Sequence, residues 1–400
     1  MQIAPTRSRS PLFPEAVPTS RLFSPALLWT IAAYGITLVF AIRFASWPAI
    51  CFAGVMHIIA GGGITLGAHR YFSHASFRAP VWFENFLAFT YALSFDRCGQ
   101  GLISWVAAHK FHHAHSDQDL DPHSPNKGFW HSFCGHHLWR REDLFDYDTY
   151  SVLCPELTAR PWLVWFDKQS TMWSIQIVFA LAVYASGGWF FRRTEGFDLH
   201  MATSFLVWGV FVRWTFTQTL HGLVDTINHG IGLFQNLPDT YGTRCQSKNN
   251  PLLWIPQLGN ETWHNIHHAF PRAANNGTKW YRWDADSIIM WCFERIGLIT
   301  DCQWISEADL ARRAQHAASK GGEARSSRQS VPSRGPESRA EVPWASSPAY
   351  HTSSVPKGSS RNRFRAKSGP TGKEIMEPLE PKLEDLSSRL SGRADDQSVP

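Results

Sequence analysis

Residues 25–45 read PALLWTIAAYGITLVFAIRFA, an apolar run whose only charge, Arg43, stands near the end where it can snorkel. Coiled as a helix, such a stretch is roughly 30 Å long, the thickness of a hydrocarbon core. After the break Ser46-Trp47-Pro48 a second apolar stretch reaches about Leu66, so the pattern predicts a transmembrane hairpin with spans at 25–45 and 48–66. Two further candidates, 171–191 and 201–224, flank Arg192-Arg193-Thr194-Glu195 and pair as a second hairpin. Between the hairpins lies a polar, histidine-rich section, 67–170. It is interrupted by VWFENFLAFTYALSF at 81–95, which is too short to span, holds Glu84 and Asn85, and reads as a re-entrant or interfacial helix. Four spans leave the N-terminus, the 67–170 section and everything after 225 on one side. Most Lys and Arg lie there, which points to the cytoplasm, although Arg192-Arg193 votes the other way.

The expected fold is therefore an all-α integral membrane protein: four transmembrane helices in two hairpins, under a cytosolic helical cap. The run DADSIIMWCFERIGLIT has apolar positions at helical spacing and closes the folded part as an amphipathic helix. The expected organisation is a flexible segment at 1–24, a membrane domain at 25–311 and a Ser/Pro/Arg-rich disordered tail at 312–400, too poor in apolar area to offset its ordering entropy. Residues 1–24 have Glu15 as their only acid and no apolar core before a small-residue cleavage site. That argues against a cleaved secretory signal, with an organellar transit peptide as the alternative. The lack of retention or transit signals favours a bacterial inner membrane over the endoplasmic reticulum.

Charged residues make up only 18% of the chain and aromatics 14%, far from an ordinary soluble enzyme. Seven cysteines without a CxxC pair argue against a disulfide framework and a thiolate zinc ribbon, so any metal site must use imidazole and carboxylate. The net charge of +5 is not gathered into a basic aromatic stripe, which makes nucleic acid a poor partner. The tail histidines His316 and His351 are too isolated to ligate a haem, so no fused cytochrome-like carrier is expected.

The other seventeen histidines fall between residues 57 and 268, and eight of them form three tight groups: His69 and His74 in HRYFSH, His109, His112 and His113 in HKFHH, and His264, His267 and His268 in HNIHH. Spacing i, i+3, i+4 puts three imidazoles within about 60° of one helix face, a fork for one or two metal ions. A five-residue separation does not give one face, so His69 and His74 are expected to bracket a site from a helix end. A fourth element is the stripe His221, Asp225, His229, costly near a membrane unless a metal supplies the partner. The bland reading of a single HxxHH is surface or pairing histidine; two copies beside HxxxxH and the stripe make coincidence a poor account. For His57, His115, His123, His131, His136, His137 and His200 the default is hydrogen bonding around a site rather than ligation. Nine clustered imidazoles can saturate two ions, where one catalytic zinc needs about three protein ligands. Imidazole without thiolate suits iron, copper or zinc, and iron suits oxygen activation. The membrane setting then names a long acyl or alkyl chain as substrate.

HRYFSH, HKFHH and HNIHH, in this order around two apolar hairpins, resemble the three histidine boxes of the membrane fatty acid desaturases. The H-x4-H form of the first, the DPH after the second and the W-H-N-x-H-H-A-F-P context of the third are similar to the delta-9 acyl-CoA and acyl-lipid branch. The resemblance covers about residues 25–300. It implies a di-iron centre, dioxygen as co-substrate and a kinked acyl tunnel. It also implies a long-chain acyl group carried on CoA, a carrier protein or a lipid, and an external electron donor such as ferredoxin, rubredoxin or cytochrome b5 with a reductase. Its implied ligands are His69, His74, His109, His112, His113, His264, His267 and His268, with His229 as the ninth histidine. Asp225 stands where the family usually has an asparagine reaching iron through water, and a carboxylate there is able to ligate directly. Ala107-Ala108 replace the Arg-Asp pair by which animal acyl-CoA enzymes touch CoA; Trp105 matches a tryptophan lining that entrance. The rival readings are a related di-iron hydroxylase or ketolase, a membrane zinc hydrolase and a non-catalytic metal-binding protein.

Overall fold

The computed structural model describes residues 25–138, 153–192, 196–231, 236–258, 260–279 and 281–328. The N-terminal segment 1–24 and the tail beyond 328 lie outside the described residues. The described residues are mostly helical, and strand pairing among them is limited to the isolated bridges Arg78 to Thr300 and Asn249 to Trp263.

The apolar runs form helices where hydrophobic length demands them. Helix α1 covers Pro25–Phe40, and α2 covers Trp47–Gly62 with Pro48 in its first turn, where a missing N–H costs nothing. α2 continues without a break into a π-helical segment, Gly63–Ser73. Then come α3 (Val81–Ser94), α4 (Leu102–His115), the short α5 (Pro161–Asp167) and α6 (Gln169–Phe190). α7 (Leu199–Leu206) runs through a π turn, Val207–Val212, into α8 (Arg213–Ile227). The cap is completed by α9 (His264–Ala269), α10 (Ala285–Arg295) and α11 (Glu307–Arg328). Two helical runs, Trp47–Ser73 and Gln169–Phe190, are long and apolar enough to cross a membrane, whereas α1 is apolar but shorter than the expected span, ending in a turn after Phe40.

Close approach is set by small residues. A Cβ at Gly187 would stand 2.7 Å from Phe205 Cβ, so α6 and α7 touch almost backbone to side chain, as a tight hairpin requires. A Cβ at Gly63 would stand 2.3 Å from the Thr90 backbone, which seats α3 directly against the π segment. The two halves interlock through Tyr34 Oη to Thr219 Oγ1 (2.8 Å), Ser46 Oγ to Ser204 Oγ (2.7 Å) and Trp208 Nε1 donating to the Ala41 carbonyl (3.0 Å). α3 buries Phe83, Leu87 and Tyr91 and exposes Val81, Trp82, Phe86 and Phe89, a two-faced helix. The boundary expected at residue 312 falls inside α11. Leu310 is buried in a cluster with Tyr241, Trp263, Ile266 and Phe270, and Arg313 Nε donates to the Tyr241 carbonyl at 3.0 Å, so the helix has packing partners there that composition does not reveal.

Candidate metal centre

The first histidine pair rises from the π segment. The His74 amide donates to the His69 carbonyl at 3.2 Å, a hydrogen bond spanning five residues. That wide turn brings two side chains five positions apart together, with ring centroids 4.9 Å apart, which α-helical spacing does not do. His69 lies inside the segment and His74 caps it, so the pair stands at a helix end. π turns of this kind recur at functional sites.

α4 supplies the second box and α9 the third, and the helix forks divide. His69, His74, His109, His113 and His267 place one nitrogen each within 4.8 Å of one another; His112, His229 and His268 form a second such group. His264 Nε2 joins the second group, 3.0 Å from His229 Nε2 and 3.2 Å from His268 Nε2. Within the first group, Nε2 of His69 and His267, of His74 and His109, and of His267 and His113 lie 2.9, 2.9 and 3.0 Å apart. Two donors about 2.1 Å from one metal at a right angle stand about 3.0 Å apart, so these separations are compatible with the edges of a coordination shell.

The protonation pattern agrees. His69 Nδ1 faces Glu261 Oε1 at 2.9 Å and His229 Nδ1 faces Asp117 Oδ1 at 2.9 Å. Carboxylates there fix the proton on Nδ1 and leave the Nε2 lone pairs turned inward, where lone pair against lone pair is repulsive unless a cation sits between them. His112 Nδ1 is held likewise by Asp121 Oδ2 at 2.9 Å. Burial, then neighbouring imidazoles, push the pKa of His109, His113, His267 and His268 well below the usual value, so these rings are neutral and ready to ligate. Burial opposes charge on His229 as well, but Asp117 prevails and raises its pKa. Burial would raise Glu261, yet His69 and His264 hold it far below the usual carboxylate range.

All nine histidines expected from the sequence thus meet in two groups. Asp225 does not join either. Its Oδ2 accepts a hydrogen bond from Arg97 Nη2 at 2.8 Å, and its oxygens lie 4.0 Å from His123 Nδ1 and 3.9 Å from His136 Nε2. Trp105 is buried, stacks on His109 with centroids 5.0 Å apart, and donates from Nε1 to Asp96 Oδ2 at 2.8 Å. The other histidines are engaged around the site or away from it: His57 with Thr217 at 2.9 Å, His131 with the Pro122 carbonyl at 3.0 Å, and His123 stacked on His112 at 4.2 Å. His123 also forms, with His112 and Asp121, a further group close enough for a metal ion. Sequence reading missed the carboxylates Asp117, Asp121 and Glu261; their signal was proximity to the boxes, in HSDQDLDPH and ETWH.

A cavity borders the centre. Its wall combines Ile58, Ile64, Leu220 and Val224 with Trp105, and it reaches ligands of both groups, His69, His109, His112, His229 and His264.

Apolar helices of membrane-spanning length, inward-facing imidazoles in two groups and an adjoining apolar cavity fit the class of membrane-associated proteins whose histidine boxes are compatible with a metal site. Residues 17–286 match the family model of the fatty acid desaturases, and the chain belongs to that family, in its delta-9 branch. It is 34% identical to the sn-2 palmitoyl-lipid 9-desaturase of Nostoc sp. (strain 36) over 293 residues, covering 71% of this chain and 93% of that protein. It is 31% identical to the sn-1 stearoyl-lipid 9-desaturase of Synechocystis sp. over 284 residues (69% and 79%). With the Delta-9 acyl-lipid desaturase 1 of Arabidopsis thaliana it shares 34% over 275 residues (67% and 80%).

Proposed function

We propose that the chain is a dioxygen-dependent di-iron desaturase that introduces a cis double bond, at the delta-9 position, into a saturated acyl chain carried on a membrane lipid. The observation that carries this reading is the cavity, whose apolar wall runs up to ligands of both histidine groups. Its overall balance is one dioxygen, two electrons and two protons consumed with the two hydrogens of adjacent methylenes, giving one double bond and two waters. A lipid carrier is supported by the lipid desaturases among the relatives and by Ala107-Ala108, which offer no charge to a CoA headgroup.

His69, His74, His109, His113 and His267 would hold one iron, and His112, His229, His264 and His268 the other. An iron pair there supplies the redox capacity to activate dioxygen toward an unactivated C–H bond. The protein residues do the rest. Ile58, Ile64, Leu220 and Val224 bind the chain and exclude water, and Trp105, fixed by Asp96, sets its path past the histidines, so proximity selects the methylene. Glu261, Asp117 and Asp121 orient the imidazoles. We place the spans at α1, at α2 with its π extension, at α6 and at the α7–α8 run, with the cap in the cytosol of a bacterial cell, where a ferredoxin, rubredoxin or cytochrome b5 system delivers the electrons.

Expression in a host lacking the activity, followed by gas chromatography of membrane lipids, tests the proposal. Monounsaturated chains two mass units lighter than their precursors are expected from the wild type and not from His267→Ala. Products sixteen units heavier identify a hydroxylase instead, and turnover without oxygen excludes this chemistry.

A further inference from the structure

The left-handed turn Asp96–Gly99 carries a charge that the histidine boxes do not explain. Phe95, Arg97 and Cys98 have φ of 52°, 47° and 59°, a conformation disfavoured for residues with a Cβ and kept only where surrounding structure imposes it. The turn sends Arg97 into the wall of the cavity. There it is buried, with Nη2 2.8 Å from Asp225 Oδ2 and 3.3 Å from His221 Nε2. Asp225 lies in the last turn of α8, four residues before His229, which follows the helix end in a turn closed by its amide donating to the Thr226 carbonyl at 3.0 Å. It is therefore close in sequence to a member of the group with four imidazoles, while the other group has five.

Resting on the di-iron reading, we propose that Arg97 is a positioning residue that holds the Asp225 carboxylate away from the second metal, so that an ion pair takes the place of the neutral amide usual in the family. The carboxylate adds one negative charge beside the centre and the guanidinium adds one positive, which leaves the local net charge as an asparagine would. Asp96 secures the arrangement from the other side, accepting from Trp105 Nε1 at 2.8 Å and Gln218 Nε2 at 2.7 Å and pairing with His221 Nδ1 at 2.9 Å.

The test loads the purified full chain with cobalt(II) alone and reads the visible absorption, which reports the ligand set. Expected results are a shifted spectrum for R97Q, where the freed carboxylate reaches the metal, and spectra matching the wild type for R97K, D225A and the double variant R97Q/D225A. D225A is also expected to melt at a lower temperature, with R97Q/D225A recovering much of the loss. A shifted spectrum for D225A overturns the proposal, because Asp225 would then already be a ligand; so does an unshifted spectrum for folded R97Q. If R97Q does not fold, D225A decides alone. A wild-type chain that takes up no cobalt overturns the metal-centre reading, and this inference with it.

Discussion

Glu261 and His69 meet at 2.9 Å between Oε1 and Nδ1, and the other oxygen of the same carboxylate stands 3.4 Å from His264 Nδ1, so one side chain steadies a ligand in each histidine group. The buried carboxylate thus stands beside a member of each group, and its loss is not confined to one of them.

Glu261→Gln tests this. The amide has one acceptor oxygen and carries no charge, so it satisfies one imidazole N–H and turns a donor toward the other. Loss of such a partner typically costs 10–100-fold in metal affinity. Iron per purified chain is expected to fall for both sites together; full loading would contradict the arrangement.

Trp105→Leu removes the ring stacked on His109 and the bond to Asp96 while keeping an apolar wall. Metal content should hold, turnover should drop roughly 10–100-fold as the chain is misplaced, and double bonds should spread to neighbouring positions. Mass spectrometry of derivatised products locates them, and an unchanged position would remove Trp105 from the channel.

Gly63→Val places side-chain atoms where the Thr90 backbone already stands. Neither partner is a flexible side-chain end, so the π segment and α3 must separate, an overpacking cost of about 1–3 kcal/mol or more. The expected result is a lower melting temperature in detergent together with lost iron, since His69 rides on the displaced segment.

Acid should release the metal and destabilise the chelated protein. His264 titrates near 6.5 when unfolded but is pushed down to about 4 in the fold, chiefly by burial. Its folded form binds fewer protons than the unfolded form between these values, so stability is present above about pH 6.5 and is lost as pH falls toward 4, by roughly 3 kcal/mol for this one ring. His74, His109, His113, His267 and His268 add in the same direction, and His229, whose pKa is raised, opposes them. Melting temperature measured from pH 8 to 5, before and after chelation, should fall below about pH 6.5; a flat profile would contradict the burial of neutral rings.

Apolar run length and histidine spacing indicated, without any coordinates, that the chain is helical, that it seeks a membrane and that its histidine boxes gather. Both signals are local: twenty apolar residues or an HxxHH fork mean the same wherever the rest of the chain goes. Tertiary structure alone decided how the rings divide, because His112 parts from His109 and His113 only once His267 joins the first group and His229 and His268 the second. It also decided that His69 and His74 share a turn, since a π hydrogen bond depends on how the segment packs against α3. The partner of Asp225 was likewise hidden, because Arg97 lies 128 positions away in sequence and reaches it through a left-handed turn that no periodicity announces. A pairing across that distance is fixed by packing and charge in three dimensions, and it gives Asp225 a cationic partner that the sequence does not announce.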